Sequence, residues 1–354
     1  MVWDRRSITL TAAGVAAAVA LAVAGIIIAT HGDTAGHLAS APKPPASPSP
    51  SPSPSHKAPL RSPFTGLRVH RLQRVLVTKI GNTFPERPAT GLARADIVYL
   101  IPVEGGLSRI MAVFSSHYPR VIGPVRSARQ TDKDLLRQFG RPAFAWSGAQ
   151  PQLQWVVQHE WRIVNLYAGT AGGYFRSFNR PEPYNLYANT RTLMKEARHA
   201  SVARDIGFRF GAPPPGGHHV KSKSVSFPAA SFRFTWSPHR HRWLVSMDGS
   251  RATSVGAGRL SAPTVVIQRV VVGLSRFLEQ GPMMPPYAHT VGSGTAVVLR
   301  NGEAYHVRWS RPSANGGTTF TTDSGKPMTF ARGPVWIVLS YGPGSSPWRS
   351  GKPV

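Results

Sequence analysis

Cysteine is absent from this 354-residue chain, and acidic residues are scarce, with 15 Asp and Glu against 42 Lys and Arg. The lack of cysteine excludes disulfides, thiolate metal sites and a lipid anchor attached to cysteine. The shortage of acids leaves a formal net charge of +27 at pH 7. This charge favours a polyanionic partner, and nucleic acid, anionic lipid and a phosphate-bearing wall polymer all fit that description.

Several motifs of common enzymes are missing as well. The chain has no glycine-rich phosphate loop, no heptad run and no repeat of fixed period, which argues against NTPases and coiled coils. Its 13 histidines lack the spacing of a zinc motif, since His218-His219 falls in a Pro/Gly loop and His239 and His241 fall in a predicted hairpin turn. Ser147 is not part of a nucleophile elbow. We therefore predict neither a metal site nor a cofactor.

A long uncharged and mostly apolar segment, residues 7–30, follows Arg5-Arg6 near the N-terminus. About 20 such residues cross a bilayer, and the paired arginines favour a cytoplasmic N-terminus. We predict a cytoplasmic stub and a signal-anchor transmembrane helix over residues 1–32, a single pass through the cell membrane and extracytoplasmic folded domains. A cleaved signal peptide is the alternative. Export would remove nucleic acid as a partner in vivo and leave an anionic envelope polymer, the membrane surface or an envelope protein.

Composition divides the rest of the chain into a linker and two domains. Residues 33–62 are rich in proline and serine, which predicts a disordered and extended spacer. Helix signals stop near a Pro/Gly loop at about residue 215. We predict a mixed α/β domain over residues 63–215, followed by a mostly β domain over residues 216–354.

Apolar periodicity predicts the strands, and capping residues predict the helices. The first domain is expected to contain strands at 74–80, 96–103, 109–115, 143–146 and 163–166, and helices at 131–139, at 151–160 and from a cap at Thr190 to about 203. The second domain is expected to contain a hairpin of 232–236 with 243–247, a strand at 264–272, a hairpin of 295–300 with 305–309 and a strand at 335–341. Four tryptophans are predicted to be core residues: Trp236, Trp243, Trp309 and Trp336.

A carboxylate and three arginines lie close together in the first domain. Glu104 follows an apolar strand, and Gly105-Gly106 would let the backbone turn or a ligand approach closely. Arg109, Arg126 and Arg129 follow within 25 residues. Guanidinium groups bind carboxylate or phosphate through paired hydrogen bonds. The cluster could therefore be an anion site, or the charges could simply neutralise one another.

Two loops at strand ends lead into predicted helices. The segment GPVRSARQTD opens the helix at 131, where free N–H groups favour an anion. Ser127 could add a hydroxyl donor there, although capping the helix is the favoured role. The segment from Trp146 to Pro151 repeats this pattern. If the strands are parallel, both loops could line one cleft at the carboxyl edge of the sheet.

A pair of carboxylates could also hydrolyse a glycan. Glu104 could act with Asp132 or Glu182 if the fold brought two carboxyl groups within roughly 5 to 10 Å. Neighbouring arginines would lower the pKa of such a carboxyl group, which works against a general acid. Hydrolysis is therefore the secondary interpretation.

Four segments in this order, SPFTG, ADIVYLIPVEGGLSRIMAVF, IGPVRSAR and PYNLY, resemble the YerB-like family of bacterial envelope lipoproteins, a domain-of-unknown-function family. The resemblance covers residues 62–341 and implies an extracytoplasmic protein of two domains whose activity is not established. It also implies that the motif positions are Glu104, Gly105, Gly106, Arg109, Gly123, Pro124, Arg126, Ser127, Arg129, Asn185, Leu186 and Tyr187.

The chain departs from the family pattern in three places. WSGAQP stands where the family has a His-Ala-Gly-Gly-Ser-like segment, and Tyr184 stands where the family has histidine before Asn185. A mechanism that used those histidines could not operate here. The apolar N-terminal segment replaces the lipoprotein anchor and would give the same topology.

The expected function is the binding of an anionic envelope ligand by Arg109, Arg126 and Arg129, oriented by Glu104. One alternative is a hydrolase of wall polymer, with Glu104 as acid or base and with Asn185 or Ser127 positioning the substrate. The other is an interaction scaffold in which the charged cluster is structural.

Overall fold

The structure is a computed structural model that describes residues 59–277 and 285–346. The predicted transmembrane helix and residues 33–58 of the predicted linker lie outside the described residues. Within those two ranges, no helix is long and apolar enough to cross a membrane.

The described chain is mostly β with few helices. The helices are α1 Gln130–Arg137, α2 Pro151–Gln158 and α3 Thr190–Glu196. The strands before residue 215 are β1 Leu76–Gly81, β2 Ala89–Thr90, β3 Ile97–Pro102, β4 Ser108–Phe114, β5 Val121–Ile122, β6 Ala143–Trp146, β7 Val164–Tyr167, β8 Tyr174–Arg176, β9 Leu186–Asn189 and β10 Arg209–Phe210.

The strands after residue 215 are β11 His218–His219, β12 Ser222–Phe227, β13 Ala230–Ser237, β14 Arg242–Met247, β15 Ser250–Arg251, β16 Thr253–Val255, β17 Gly258–Arg259, β18 Ser261–Ala262, β19 Thr264–Val270, β20 Val272–Leu274, β21 Pro286–Ala288, β22 Gly292–Arg300, β23 Glu303–Arg311, β24 Thr319–Thr322, β25 Thr329–Phe330 and β26 Val335–Tyr341. All three α-helices of the described residues therefore precede residue 215, which fits the prediction of a mixed α/β first domain and a mostly β second domain.

One sheet of 11 strands runs through both halves in the order β11-β23-β22-β19-β26-β3-β4-β1-β6-β7, with β24 beside β23. Strand β26 pairs in parallel with β3, where Val335 lies opposite Ile97. Strand β4 is antiparallel to its neighbours β3 and β1, so that β3 and β1 run in the same direction. Strands β19, β26, β3, β1, β6 and β7 consequently end at the same edge of the sheet.

Both faces of the central strands are covered, because β1 and β3 are buried along their whole length. Helices α1 and α2 pack on one face through residues such as Leu136 and Leu153. Helix α3 and the β13–β14 hairpin pack on the other face through residues such as Leu193 and Trp243. Trp243, Trp309 and Trp336 are buried, which confirms them as core residues, and Trp236 packs against the core that contains Trp243 and Trp336.

The strands and both predicted hairpins are found within a few residues of their predicted positions. The third helix differs from its prediction. It ends at Glu196, and its cap is Asn189 rather than Thr190. The Asn189 side chain accepts the Thr192 N–H at 3.2 Å. The helix stops before residue 203 because the N–H groups of Ser201 and Ala203 bond to other segments of the chain. His218-His219 is likewise not a turn, since it pairs with β23 as an edge strand.

Candidate functional site

The carboxyl edge of the parallel strands brings together the loops that carry the predicted site. Glu104 follows β3, and Ser147 follows β6. The Ser147 N–H donates to the Arg126 carbonyl at 3.1 Å, and the Ala128 N–H donates to the Gly148 carbonyl at 2.8 Å. The two loops that were predicted to line one cleft therefore lie in contact.

Glu104 begins a single 3-10 turn with Gly105 and Gly106, both of which have positive φ angles of 66° and 69°. A turn from the second half of the chain packs directly on it, where the Ala229 N–H donates to the Gly106 carbonyl at 2.9 Å. A Cβ atom at Gly106 would lie 2.6 Å from Cβ of Pro228. The glycines thus allow both the backbone turn and this close approach.

Glu104 is 7% exposed and pairs with Arg129, whose Nε donates to Glu104 Oε1. Burial of Glu104 favours its neutral form, but the charge and hydrogen bond of Arg129 outweigh burial and hold its pKa below the ordinary value. Arg129 also donates from Nη1 to the Ala128 carbonyl at 2.9 Å. Glu104 is therefore an ionised carboxylate at neutral pH and is unsuited to act as a general acid.

A second ion pair lies beneath the first and was missed by the sequence analysis. Lys79 Nζ lies 2.6 Å from Asp132 Oδ1, and these side chains are 0% and 1% exposed. Asp132 Oδ2 also accepts the backbone N–H of Arg129 at 2.7 Å. Burial lowers the pKa of Lys79, while Asp132 opposes this shift. The only signal in the sequence was a lysine within an apolar strand.

Asp132, and not Ser127, supplies the hydrogen bond at the start of α1. Arg129 occupies the cap position, and its N–H is bound by the Asp132 carboxylate. The prediction that Ser127 caps this helix is therefore wrong, because the helix begins at Gln130, three residues beyond the serine. The Ser127 side chain is half-buried and faces Gly148, where an added Cβ atom would lie 3.7 Å from Ser127 Oγ.

Glu86 is a third carboxylate of the cluster, and it is fully buried. Its Oε2 accepts the N–H and the hydroxyl of Thr83, each at 2.7 Å. Its Oε1 lies 2.7 Å from Arg126 Nε, and its Oε2 lies 3.7 Å from Arg109 Nη1. The carboxylate also lies against the backbone of Gly81, where a Cβ atom would come within 2.2 Å of it. The capping pattern Thr-Phe-Pro-Glu at residues 83–86 could have indicated this residue.

Arg109 is a buried cation with unused donors. It is 8% exposed, and its Nε and Nη1 have no hydrogen-bond partner among the described residues. The contact of 3.7 Å with Glu86 is too long for a hydrogen bond. Burial lowers the pKa of Arg109 to about 10; Glu86 opposes this shift, and the positive charges of Arg126 and Arg129 add to it.

A loop between β8 and β9 lies against the outer side of the cluster. Arg126 donates from Nη1 to the Pro183 carbonyl at 3.0 Å, and its guanidinium lies 5.6 Å from the centre of the Tyr184 ring. Arg180 donates to the carbonyls of Glu86 and Pro88 at 2.7 and 2.8 Å. This loop therefore joins the cluster through backbone carbonyls and one aromatic ring.

Asn185 and Glu182 belong to the same loop but have a different partner. Asn185 is 7% exposed, and its Oδ1 accepts from Arg176 Nη1 at 2.8 Å. Glu182 Oε1 lies 3.1 Å from Arg176 Nε at the surface. Of the two carboxylates that were predicted as partners of Glu104, Glu182 therefore pairs with Arg176 instead, whereas Asp132 binds the same residue as Glu104, Arg129.

The cluster contains one more cation than carboxylates. Four cations face three carboxylates: Lys79, Arg109, Arg126 and Arg129 against Glu86, Glu104 and Asp132. Across residues 59–277 and 285–346, no group of three or more histidines and acids is arranged to hold a metal ion. A cavity of about 360 Å³ is lined by Pro85 and Arg87, the chain neighbours of Glu86, and by Ile110, which follows Arg109.

Two comparisons match most of the folded chain. The family model described as Protein of unknown function (DUF3048) N-terminal domain matches residues 64–203, and the corresponding C-terminal domain matches residues 223–337. The predicted boundary at about residue 215 falls between these ranges. The crystal structure of YerB protein from Bacillus subtilis has a similar fold, with a TM-score of 0.68, 20% identity, and coverage of 79% of this chain and 96% of that chain.

A curated relative matches a shorter segment. The protein named "Putative lipoprotein YerB" from Bacillus subtilis (strain 168) is 39% identical over 101 residues, which are 27% of this chain and 30% of that protein. The alignment thus spans less than a third of the length of that relative.

Proposed function

Because the chain belongs to the DUF3048 family, we propose that it is an envelope-associated protein of the YerB type that binds one anionic group of an envelope ligand at Arg109 and Arg126. The name of the curated relative and the predicted N-terminal anchor both support a position at the cell membrane with the folded part outside. An envelope polymer, the membrane surface or an envelope protein could carry the anionic group.

The unused donors of Arg109 are the observation that carries this proposal. A buried N–H without a partner costs on the order of 1 to 3 kcal/mol, and more when it belongs to a charged group. A phosphate or carboxylate oxygen bound there would remove that cost and would balance the excess of positive charge. The Arg126 side chain, which is 18% exposed, offers the adjoining donor on the solvent side.

The remaining predicted residues take supporting roles in this site. Glu104 orients Arg129 through their ion pair, and the hydroxyl of Ser127 is a further donor in the loop before α1. Asn185 binds Arg176 and thereby holds the loop that carries Tyr184 over Arg126. The lowered pKa of Glu104 argues against the hydrolase that uses it as a general acid.

Binding of small anionic probes tests the proposal. The double variant Arg109→Gln/Arg126→Gln of the full-length chain would be titrated with inorganic phosphate, glycerol-phosphate oligomers and wall-glycan fragments. We expect its affinity to fall at least about 10-fold, because each charge-assisted hydrogen bond contributes about 1.5 to 3 kcal/mol. The control Arg240→Gln/Arg308→Gln removes the same charge at exposed positions that lack side-chain partners among the described residues.

Binding, melting temperature and turnover of cell wall together separate the three functions. Equal binding by the wild type and the Arg109→Gln/Arg126→Gln variant would show that the site is wrong. A lower melting temperature with unchanged binding would support the scaffold. Loss of product release from isolated cell wall in Glu104→Gln, with binding intact, would support the hydrolase.

A further inference from the structure

A basic groove lies beside the amino end of β1. The charged cluster around Arg109, called here the Arg109 cluster, lies at the carboxyl end of that strand. A cavity of about 570 Å³ opens at the amino end, between the segment before β1 and helix α3. Five cations line it: Arg71, Arg74, Arg191, Lys195 and Arg198. None of its lining residues is Asp or Glu.

Two of these cations have structural contacts and three do not. Arg74 Nη1 donates to the Ala197 carbonyl at 2.7 Å, and Arg198 Nε donates to the Lys195 carbonyl at 3.2 Å, so both stabilise the end of α3. The side chains of Arg71, Arg191 and Lys195 are exposed and make no hydrogen bond or ion pair within the part of the chain that the structure describes.

Two acids near this groove, Glu196 and Asp96, bind backbone N–H groups. The Glu196 carboxylate accepts the Gly172 N–H at 3.0 Å. The Asp96 carboxylate accepts the N–H groups of Ser115 and Ser116 at 2.6 and 2.7 Å. Neither carboxylate forms an ion pair with a cation of the groove among the described residues.

Tyr118 connects this cavity to a second basic cavity of about 550 Å³. Arg94, His117 and Arg120 line the second cavity, which also has no acidic lining residue. The Arg120 carbonyl accepts the Thr190 N–H at 3.2 Å, which places Arg120 next to the start of α3. The Tyr118 hydroxyl donates to the Arg74 carbonyl. The two cavities thus lie side by side, with Tyr118 in the lining of both.

We propose that this basic groove binds a linear polymer that carries phosphate or phosphodiester groups. Guanidinium forks bind phosphate oxygens in pairs, and cations on both sides of Tyr118 suit charges that repeat along a chain. The cations line concave walls, which a flat lipid surface would not fill. His117 and Tyr118 are the aromatic residues in the lining of the two cavities. Single-stranded nucleic acid is usually held by several stacked aromatic rings, so the lining favours a polymer without bases.

This site is independent of the Arg109 cluster, because the two lie at opposite edges of the sheet. The triple variant Arg71→Ala/Arg191→Ala/Lys195→Ala removes the three cations without breaking a described hydrogen bond. The matched control Arg240→Ala/Arg308→Ala/Lys326→Ala removes two arginines and one lysine at exposed positions elsewhere. The probes are long-chain polyphosphate, poly(glycerol phosphate) and vesicles that contain phosphatidylglycerol, titrated against the full-length chain at several salt concentrations.

The triple variant should bind both polymers about 10- to 100-fold more weakly, with a flatter dependence of log affinity on log salt, since fewer counterions are released. The control variant should keep the polymer affinity of the wild type, and the losses of the triple variant and of Arg109→Gln/Arg126→Gln should be additive, because the two sites are independent. Equal losses in the triple variant and the control would mean that binding depends on net charge alone and would overturn the proposal. It would also fail if the three side chains affected vesicle binding only, or if only the Arg109→Gln/Arg126→Gln variant lost the polymers.

Discussion

Lys79 and Asp132 form an ion pair of 2.6 Å that joins the central strand β1 to the first turn of α1, and neither side chain is more than 1% exposed. The pair also positions Arg129, because Asp132 accepts the backbone N–H of that residue at 2.7 Å. The buried Lys79–Asp132 pair thus helps to hold Arg129, the partner of Glu104, in place.

We expect Lys79→Met to lower the free energy of unfolding by about 3 to 5 kcal/mol, because it leaves the Asp132 carboxylate buried without its cation. Asp132→Asn should cost a similar amount. The double variant should cost clearly less than the sum, because it removes both charges. Urea unfolding of the four proteins measures this coupling, and additive losses would contradict it.

Glu86→Gln should destabilise the protein more than Glu104→Gln does. Glu86 is fully buried and faces both Arg109 and Arg126, whereas the ion pair of Glu104 is with Arg129. We expect a loss of about 3 to 5 kcal/mol for Glu86→Gln by chemical denaturation. Glu182→Gln is the control, since its pair with Arg176 is exposed and should contribute at most about 1 kcal/mol. A larger loss in Glu104→Gln than in Glu86→Gln would count against this order.

The stability of the protein should depend on pH through Glu104. Its pKa in the folded protein lies below its ordinary value of 4.5, so its stabilising contribution is complete above that pH and is lost as the pH falls through the lowered pKa. The Glu104→Gln variant should therefore show a smaller loss of stability on acidification than the wild type.

Unfolding free energies at several pH values from about 6 to 3 would measure the difference between the two proteins. Asp96 acts in the opposite direction, because burial raises its pKa, but its contribution is common to both proteins and cancels in the difference. Parallel curves for the wild type and Glu104→Gln would contradict the assignment.

Gly106→Ala should separate the Glu104 turn from the turn that packs on it. The added methyl group meets Pro228 at 2.6 Å and also occupies a residue with φ of 69°. We expect a loss of about 1 to 3 kcal/mol by denaturation. Gly249→Ala is a matched control, because φ there is 77° but nothing lies within 4 Å of the new atom. Equal losses in the two variants would show that contact with Pro228 contributes nothing.

The sequence predicted the local elements of this fold well because period and turn residues are local signals. The Asn301-Gly302 hairpin is an example, since both residues adopt the positive φ angles that this dipeptide favours. The strand order could not be predicted in the same way, because the pairing of β26 with β3 joins residues far apart in the chain.

The candidate site was predicted only in part for a similar reason. Arg109, Arg126 and Arg129 stood out because they follow a carboxylate and two glycines at a strand end. Lys79 and Glu86 did not stand out, because their importance comes from burial and from partners across the sheet. Ser127 has the residue type of a cap, but Arg129 occupies the cap position and Asp132 accepts its N–H.

The seam between β3 and β26 bears on how this protein can be divided. Residues 64–203 expressed alone would lose β26, and the apolar strand IVYLIP would become an open edge able to pair with other copies. That fragment should aggregate, although a family model matches it as a unit. Truncation studies of the Glu104 turn, which directly follows this strand, therefore need the C-terminal strands in the same polypeptide.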